Sequence, residues 1–171
     1  KTINNMMFFR NRFGLLSGEN IILSCPGDYF NFFAKTALTV TDSDPIDISA
    51  SSTYPAVLYD STEVNAGLLL FSDNQQFLLT TDSDIFSAST AKINSISSYR
   101  FNRDTYPFSM GTTVGFFSDA GIHSRLFEMT NIRREGEVEV LEQSKPVSTL
   151  LPTALTLVAD SRENNILLCG K

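Results

Sequence analysis

Short apolar runs alternate with clusters of Gly, Asn, Asp and Ser along the whole chain. Met6-Met7-Phe8-Phe9, Gly14-Leu15-Leu16, Ile21-Ile22-Leu23, Leu38-Thr39-Val40, Leu68-Leu69-Leu70-Phe71, Phe77-Leu78-Leu79-Thr80-Thr81, Val114-Gly115-Phe116-Phe117 and Leu155-Thr156-Leu157-Val158 have the length and bounding residues of β-strands. Glu137-Val138-Glu139-Val140 alternates polar with apolar, the pattern of a strand with one wet face. No stripe of helical period appears. A short helical turn near Val147-Ser148-Thr149-Leu150-Leu151, stopped by Pro152, is the one helical expectation. Ser and Thr number 36 together, which suits strands and turns better than helix interiors. The pattern predicts an all-β chain.

A weak internal repeat refines that expectation. An apolar run, a Ser/Ala-Gly/Asp turn and a second apolar run recur around Ser17, Ser72, Ser118 and Ala159, at steps of 55, 46 and 41 residues. Each unit reads as a hairpin whose turn uses residues tolerant of positive φ. The expected hairpins span residues 8–25, 67–81, 113–129 and 154–169 of a single all-β segment, 1–171. A recurrence of about 40–50 residues is the spacing of β-propeller blades. The irregular steps and the absence of Trp leave a plain β-sandwich as the alternative. On the propeller reading four hairpins do not close, and the remaining blade parts are expected from chain beyond Lys171 or from another protomer. The first residue, Lys1 rather than Met, points the same way, to a chain that begins inside a longer polypeptide.

Composition and charge narrow the function classes. The 171 residues carry 42% hydrophobic and 19% charged side chains, which excludes intrinsic disorder. The net charge of −6, with no basic run beyond Arg133-Arg134, argues against high-affinity DNA binding. No apolar run approaches the ~18 residues of a membrane span. Two cysteines, Cys25 and Cys169, are too few for a disulfide scaffold, and both read as small core hydrophobes.

Candidate chemistry is sparse. One histidine, His123, sits between a turn signal and a strand-like run and reads as a surface or half-buried strand residue. It has no accompanying nucleophile elbow, and one His with two distant Cys cannot assemble a zinc site. Asp42-Ser43-Asp44-Pro45-Ile46-Asp47 and Asp82-Ser83-Asp84 offer the oxygens that calcium prefers, yet lack the EF-hand glycine and glutamate; turn building is the commoner use of such residues. No phosphate-cradling or dinucleotide motif occurs, so neither a cofactor nor a catalytic centre is expected.

The string Phe8-Phe9-Arg10-Asn11-Arg12-Phe13-Gly14-Leu15-Leu16-Ser17-Gly18-Glu19-Asn20-Ile21-Ile22-Leu23-Ser24, followed by Asp28-Tyr29-Phe30-Asn31-Phe32, resembles the tail tubular protein B family, the tail nozzle proteins of short-tailed, podovirus-type bacteriophages. The likeness continues through residues 42–47 and 69–80 and, more weakly, through 107–111, 124–129 and 160–165. The resemblance implies a virion tail component assembled in the host cytoplasm. It implies a homohexamer below the ring of the tail adaptor (tail tubular protein A), enclosing the channel through which the genome leaves. Tail fibres dock on such nozzles, and DNA passes through without specific binding. It also implies a propeller domain within a subunit several times longer than this chain.

Within that string Arg10, Asn11, Arg12, Gly14, Ser17, Gly18, Glu19 and Asn20 are the family-motif and subunit-contact candidates. Gly14 and Gly18 suit tight turns beside strands, and Asn20 suits a hairpin or bonded turn. Arg10 and Arg12 have two possible partners: a carboxylate such as Glu19, or an acidic loop of a neighbouring subunit. A purely structural role for the segment stands beside the contact role. Six copies at −6 would place about −36 near a polyanion, a charge that helps DNA slide. Two rival readings remain. One is a host-surface glycan-binding module using Ser98-Tyr99-Arg100-Phe101 and Thr105-Tyr106-Pro107-Phe108; the other is a polysaccharide hydrolase, for which no carboxylate pair is preferred.

Overall fold

The computed structural model describes residues 2–50, 52–119, 121–134, 138–164 and 166–171. Among these residues fourteen strands form four antiparallel sheets, each a meander of sequential neighbours. The first sheet comprises β1 (Ile3–Phe9), β2 (Arg12–Ser17), β3 (Asn20–Leu23) and β4 (Ile46–Ser49). The second comprises β5 (Leu58–Val64), β6 (Gly67–Ser72), β7 (Gln76–Thr81) and β8 (Ala91–Ser97). In the third are β9 (Phe108–Ser109), β10 (Val114–Asp119), β11 (Ser124–Thr130) and β12 (Glu139–Glu142). The fourth holds β13 (Leu157–Ser161) and β14 (Ile166–Gly170). None of the sheets closes on itself. Among the described residues the helical content is one 3-10 turn, Lys145–Val147, slightly earlier than the expected one.

The sheets stack face to face in chain order. Leu16, Ile21, Leu23 and Ile46 of the first sheet pack on Leu58, Leu68, Leu70, Phe77 and Leu79 of the second. The opposite face of the second sheet sends Leu69 and Phe71 against Val114, Phe116, Phe127 and Met129 of the third. Phe108 and Phe117 then meet Val158 of the fourth sheet, with Leu155 just ahead of it. Coverage on both faces explains why β6 and β7, buried at every position, read as unbroken apolar runs. Burying each such Leu or Phe contributes about 1.5–3 kcal/mol.

The leading strands of the first and second sheets, and those of the third and fourth, run side by side in the same direction. Asn4 Nδ2 donates to the Leu58 carbonyl (2.8 Å) and Asn5 Nδ2 to Asp60 Oδ1 (2.8 Å), while Ser61 Oγ contacts Met7 Sδ, which sets β1 parallel to β5. Asn102 Nδ2 donates to the Leu155 carbonyl (3.0 Å), the Tyr106 hydroxyl to the Val158 carbonyl, and Arg162 Nε to the Ser109 carbonyl (2.9 Å). The segment leading through β9 is therefore parallel to β13 and in step with it.

That alignment corrects the phase of the repeat. The turns at Ser17, Ser72 and Ser118 join the second and third strands of their sheets, whereas Ala159 lies inside β13, the leading strand of the fourth. Counted from their leading strands, the sheets start at residues 3, 58, 108 and 157, at steps of 55, 50 and 49, a more even spacing than the turn motif gave.

Other expectations change as well. Leu38-Thr39-Val40 forms no strand: it belongs to the long β3–β4 connection, and Leu38 is 94% exposed. The run at residue 155 enters β13 only at Leu157. Glu137 of the alternating segment lies outside the described residues, and the strand there is Glu139–Glu142. Cys25 is buried as expected, but Cys169 is exposed on β14, because the two-stranded fourth sheet leaves it uncovered. His123 is half-buried in the turn before β11.

Candidate functional site

The family-motif segment builds the β1–β2 and β2–β3 hairpins. Arg10 and Asn11 form a two-residue turn with φ of 46° and 59°, the left-handed values that twisted hairpins require. Asn accepts this conformation readily, whereas Arg bears a cost of roughly 1 kcal/mol or more. The Arg10 guanidinium lies over the rings of Phe9 (5.7 Å) and Phe86 (5.8 Å), so part of that cost returns as cation–π attraction. Asn11 is tied on both groups: its carbonyl accepts from Gly27 N–H (2.8 Å), and its Oδ1 accepts from the Tyr29 hydroxyl (2.9 Å).

Arg12 is the largest fully buried side chain, 1% exposed. Alternation along β2 points it inward with Gly14 and Leu16, at the end of the sheet where the β3–β4 connection begins and returns. Its Nη1 donates to the carbonyls of Ser24 (2.8 Å) and Asp44 (2.7 Å), and its Nη2 to the carbonyl of Asp42 (2.8 Å). Three main-chain oxygens from both ends of the 24–45 connection thus converge on one guanidinium, whose planar fork suits that geometry. Burial pulls its pKa down, and the charges of Cys25 and Asp44 oppose the shift.

Asp44 supports the same clamp from the opposite side. Its carboxylate accepts the amide N–H groups of Thr41 (2.7 Å) and Lys35 (3.4 Å), and the Thr41 bond leads in holding its pKa below the usual range. Neither arginine pairs with Glu19. The six residues of β2 put the turns at its two ends about 20 Å apart, and Arg12 is already satisfied by carbonyls.

The remaining candidates divide by role. Gly14 sits within β2 rather than in a turn: a Cβ there would lie 2.7 Å from Leu23 Cδ2 and 3.1 Å from Met7 Cγ, so its bareness lets neighbouring strands fill the core. Gly18, at φ 62°, and Glu19 make the β2–β3 turn. The Gly18 carbonyl accepts from Leu58 N–H (2.8 Å), fastening the turn to the next sheet, and the Glu19 carbonyl accepts from Ala50 N–H (2.9 Å) at the end of β4. Ser17 is buried beside them, and Asn20 donates to Asp47 Oδ1 (2.7 Å) at the surface. The structure brings Arg10, Asn11 and Arg12 together at one end of the sheet and Ser17 to Asn20 at the other.

One titratable group escaped the sequence reading. Asp60, on β5 against β1, accepts from Asn5 and from the Ser61 amide (2.7 Å), and burial pushes its carboxyl up to about 6. Its only sequence signal is an acidic residue two positions after the apolar Leu58. Elsewhere the acidic loops are committed internally, Asp82 to Lys92 and Asp47 to Asn20. Among the described residues no three His, Cys, Asp or Glu side chains gather as metal ligands, and no helix is long and apolar enough to cross a membrane. Of the four rings in the aromatic loops, Phe101 and Phe108 are core, which removes half of the platform a sugar would stack on.

A stack of meander sheets whose strongest polar device clamps its own main chain is built as an architectural module. Comparison with known proteins agrees: the model of the bacteriophage nozzle protein family matches residues 1–170, and the chain belongs to that family. It is 32% identical over 165 residues to the tail tubular protein gp12 of Escherichia phage T7; the match covers 96% of this chain and 21% of that protein. The chain therefore spans about a fifth of the length of this relative. Its family makes it a structural component of the phage virion tail.

Proposed function

We propose that this chain is the β-propeller part of a tail nozzle subunit, with each meander sheet a blade and the parallel leading strands β1, β5, β9 and β13 nearest the propeller axis. The observation that carries this reading is the serial face-to-face stacking of sheets at even steps near 50 residues, within a chain of the nozzle family. A sandwich would bury one face of each sheet, whereas β6 and β7 are buried on both. Six subunits surround the genome channel at the distal end of a short tail, below the adaptor ring, and provide docking for tail fibres. The propeller contributes scaffold rather than chemistry. Its acidity repels DNA in transit, since phosphate contacts would otherwise retard passage.

Negative-stain microscopy of the full-length subunit mixed with its adaptor tests the proposal. Six-fold rings capping the adaptor are expected. A subunit that stays monomeric beside its adaptor would refute it.

A further inference from the structure

The C-terminal ends of β1, β5 and β13 and the β9–β10 connection border one polar cavity of about 620 Å³. Its walls therefore come from all four sheets, and Arg10 of the first sheet lines the same space as Arg162 of the fourth. Glu63, on β5, is the one carboxylate in the lining, so two arginines leave a positive balance there in a chain whose net charge is −6.

Both cations are fixed in place with donors to spare. Arg10 holds a left-handed φ of 46° at a turn position that Asn or Gly would occupy at lower cost. A side chain kept at a strained position points to a use for that side chain. The Phe9 and Phe86 rings take the face of its guanidinium and leave the N–H edge uncommitted. Arg162 spends Nε on the Ser109 carbonyl (2.9 Å), which anchors it to the third sheet and keeps both Nη groups available. Among the described residues the ion pairs are Lys92 with Asp82 and Arg125 with Glu142, so neither cavity arginine is matched by a carboxylate, Glu63 included.

We propose that this cavity binds a small molecule through one oxoanion group, a phosphate or a carboxylate, held jointly by Arg10 and Arg162. Planar guanidinium forks suit the oxygens of either group. The hydroxyls of Thr112 and Thr113 and the amide of Asn65 add neutral donors to the same wall. Glu63 accepts a hydroxyl of the ligand and repels a second anionic group. The volume lies within the range of about 300–1,000 Å³ usual for small-ligand sites. Two arginines opposed by a glutamate are too few for a nucleic acid, whose affinity grows with the number of phosphates neutralised. The inference rests on the cavity alone and is independent of the nozzle reading, which the microscopy tests separately.

The test titrates the ¹⁵N-labelled chain with glycerol 3-phosphate and, separately, with glycerate at constant ionic strength, following amide chemical shifts. Saturable shifts are expected at Arg10, Gly111, Thr112 and Thr113, and the ligand that saturates at lower concentration assigns the oxoanion to phosphate or carboxylate. Arg10→Asn and Arg162→Gln should each weaken binding at least about tenfold, whereas Arg100→Gln, outside this cavity, should leave it unchanged. Asn suits the left-handed turn, and far-UV circular dichroism checks each fold; the wild-type shift map is read without any variant. Neither ligand saturating by about 20 mM overturns the inference. So do shifts that map away from the cavity, or affinity retained in both Arg10→Asn and Arg162→Gln.

Discussion

Replacing Arg12 by Met removes the guanidinium while nearly preserving side-chain volume, and so isolates the clamp from the packing. Two of its three bonds, to the Ser24 and Asp44 carbonyls, are buried; the third, to Asp42, is partly buried and open to replacement by water. A buried acceptor left without a donor costs about 1–3 kcal/mol, giving about 2–6 kcal/mol for the two. Relief from desolvating the Arg12 charge offsets part of this, so the expected net loss is about 2–4 kcal/mol. Against a total of about 5–15 kcal/mol for an ordinary domain, the variant should fold yet unfold at clearly lower urea. The loss should also be localised. Amide exchange should quicken first in residues 25–45, with Thr41 and Asp44 leading, because the clamp holds both ends of that connection. Arg12→Lys should fall between, since one ammonium cannot span three carbonyls in the plane of a guanidinium. A Met variant within about 1 kcal/mol of the wild type, with unchanged exchange across 25–45, would refute the clamp.

Other substitutions probe separate links. Asp60 has a folded pKa of about 6 against 3.8 unfolded, so the native chain takes up a proton first as pH falls. Stability should therefore rise from about pH 7 to about pH 4, by at most about 3 kcal/mol from this group. Asp60→Asn keeps the acceptor for Asn5 and Ser61, and should be more stable than wild type near pH 8 and lose that slope; urea melts at the two pH values decide it. Gly67→Ala should cost more than about 2 kcal/mol in chemical denaturation, because its Cβ would meet the Leu79 carbonyl oxygen at 2.1 Å with φ at +151°. Gly18→Ala, at φ +62° in open space, should cost only about 1 kcal/mol, and equal losses for the two glycines would contradict the steric account.

The turns were legible because their chemistry is local. Gly18 announces positive φ whatever surrounds it. Continuous apolar strands were legible for a related reason: β6 and β7 bear Leu and Phe on both faces, and only a strand covered on both sides tolerates that. The outer strands of the second sheet were not. β5 reads Leu-Tyr-Asp-Ser-Thr-Glu-Val and β8 Ala-Lys-Ile-Asn-Ser-Ile-Ser, and such mixed runs become strands only because β6 and β7 offer them ladder edges. The misplaced fourth repeat has the same origin, since Ala159-Asp160-Ser161 looks like a turn until β14 pairs with it residue by residue.

By itself, then, the amino-acid order determined the β class, the turns after Ser17, Ser72 and Ser118 and the family, all of which reside in neighbours along the chain. Tertiary structure alone decided which faces are covered, where the repeat begins and what Arg12 does. Its guanidinium is satisfied by carbonyls up to 32 residues away, and main-chain oxygens carry no signature in side-chain identity. Carboxylate partners can be sought in a sequence; a convergence of backbone oxygens exists only once the chain has folded around it.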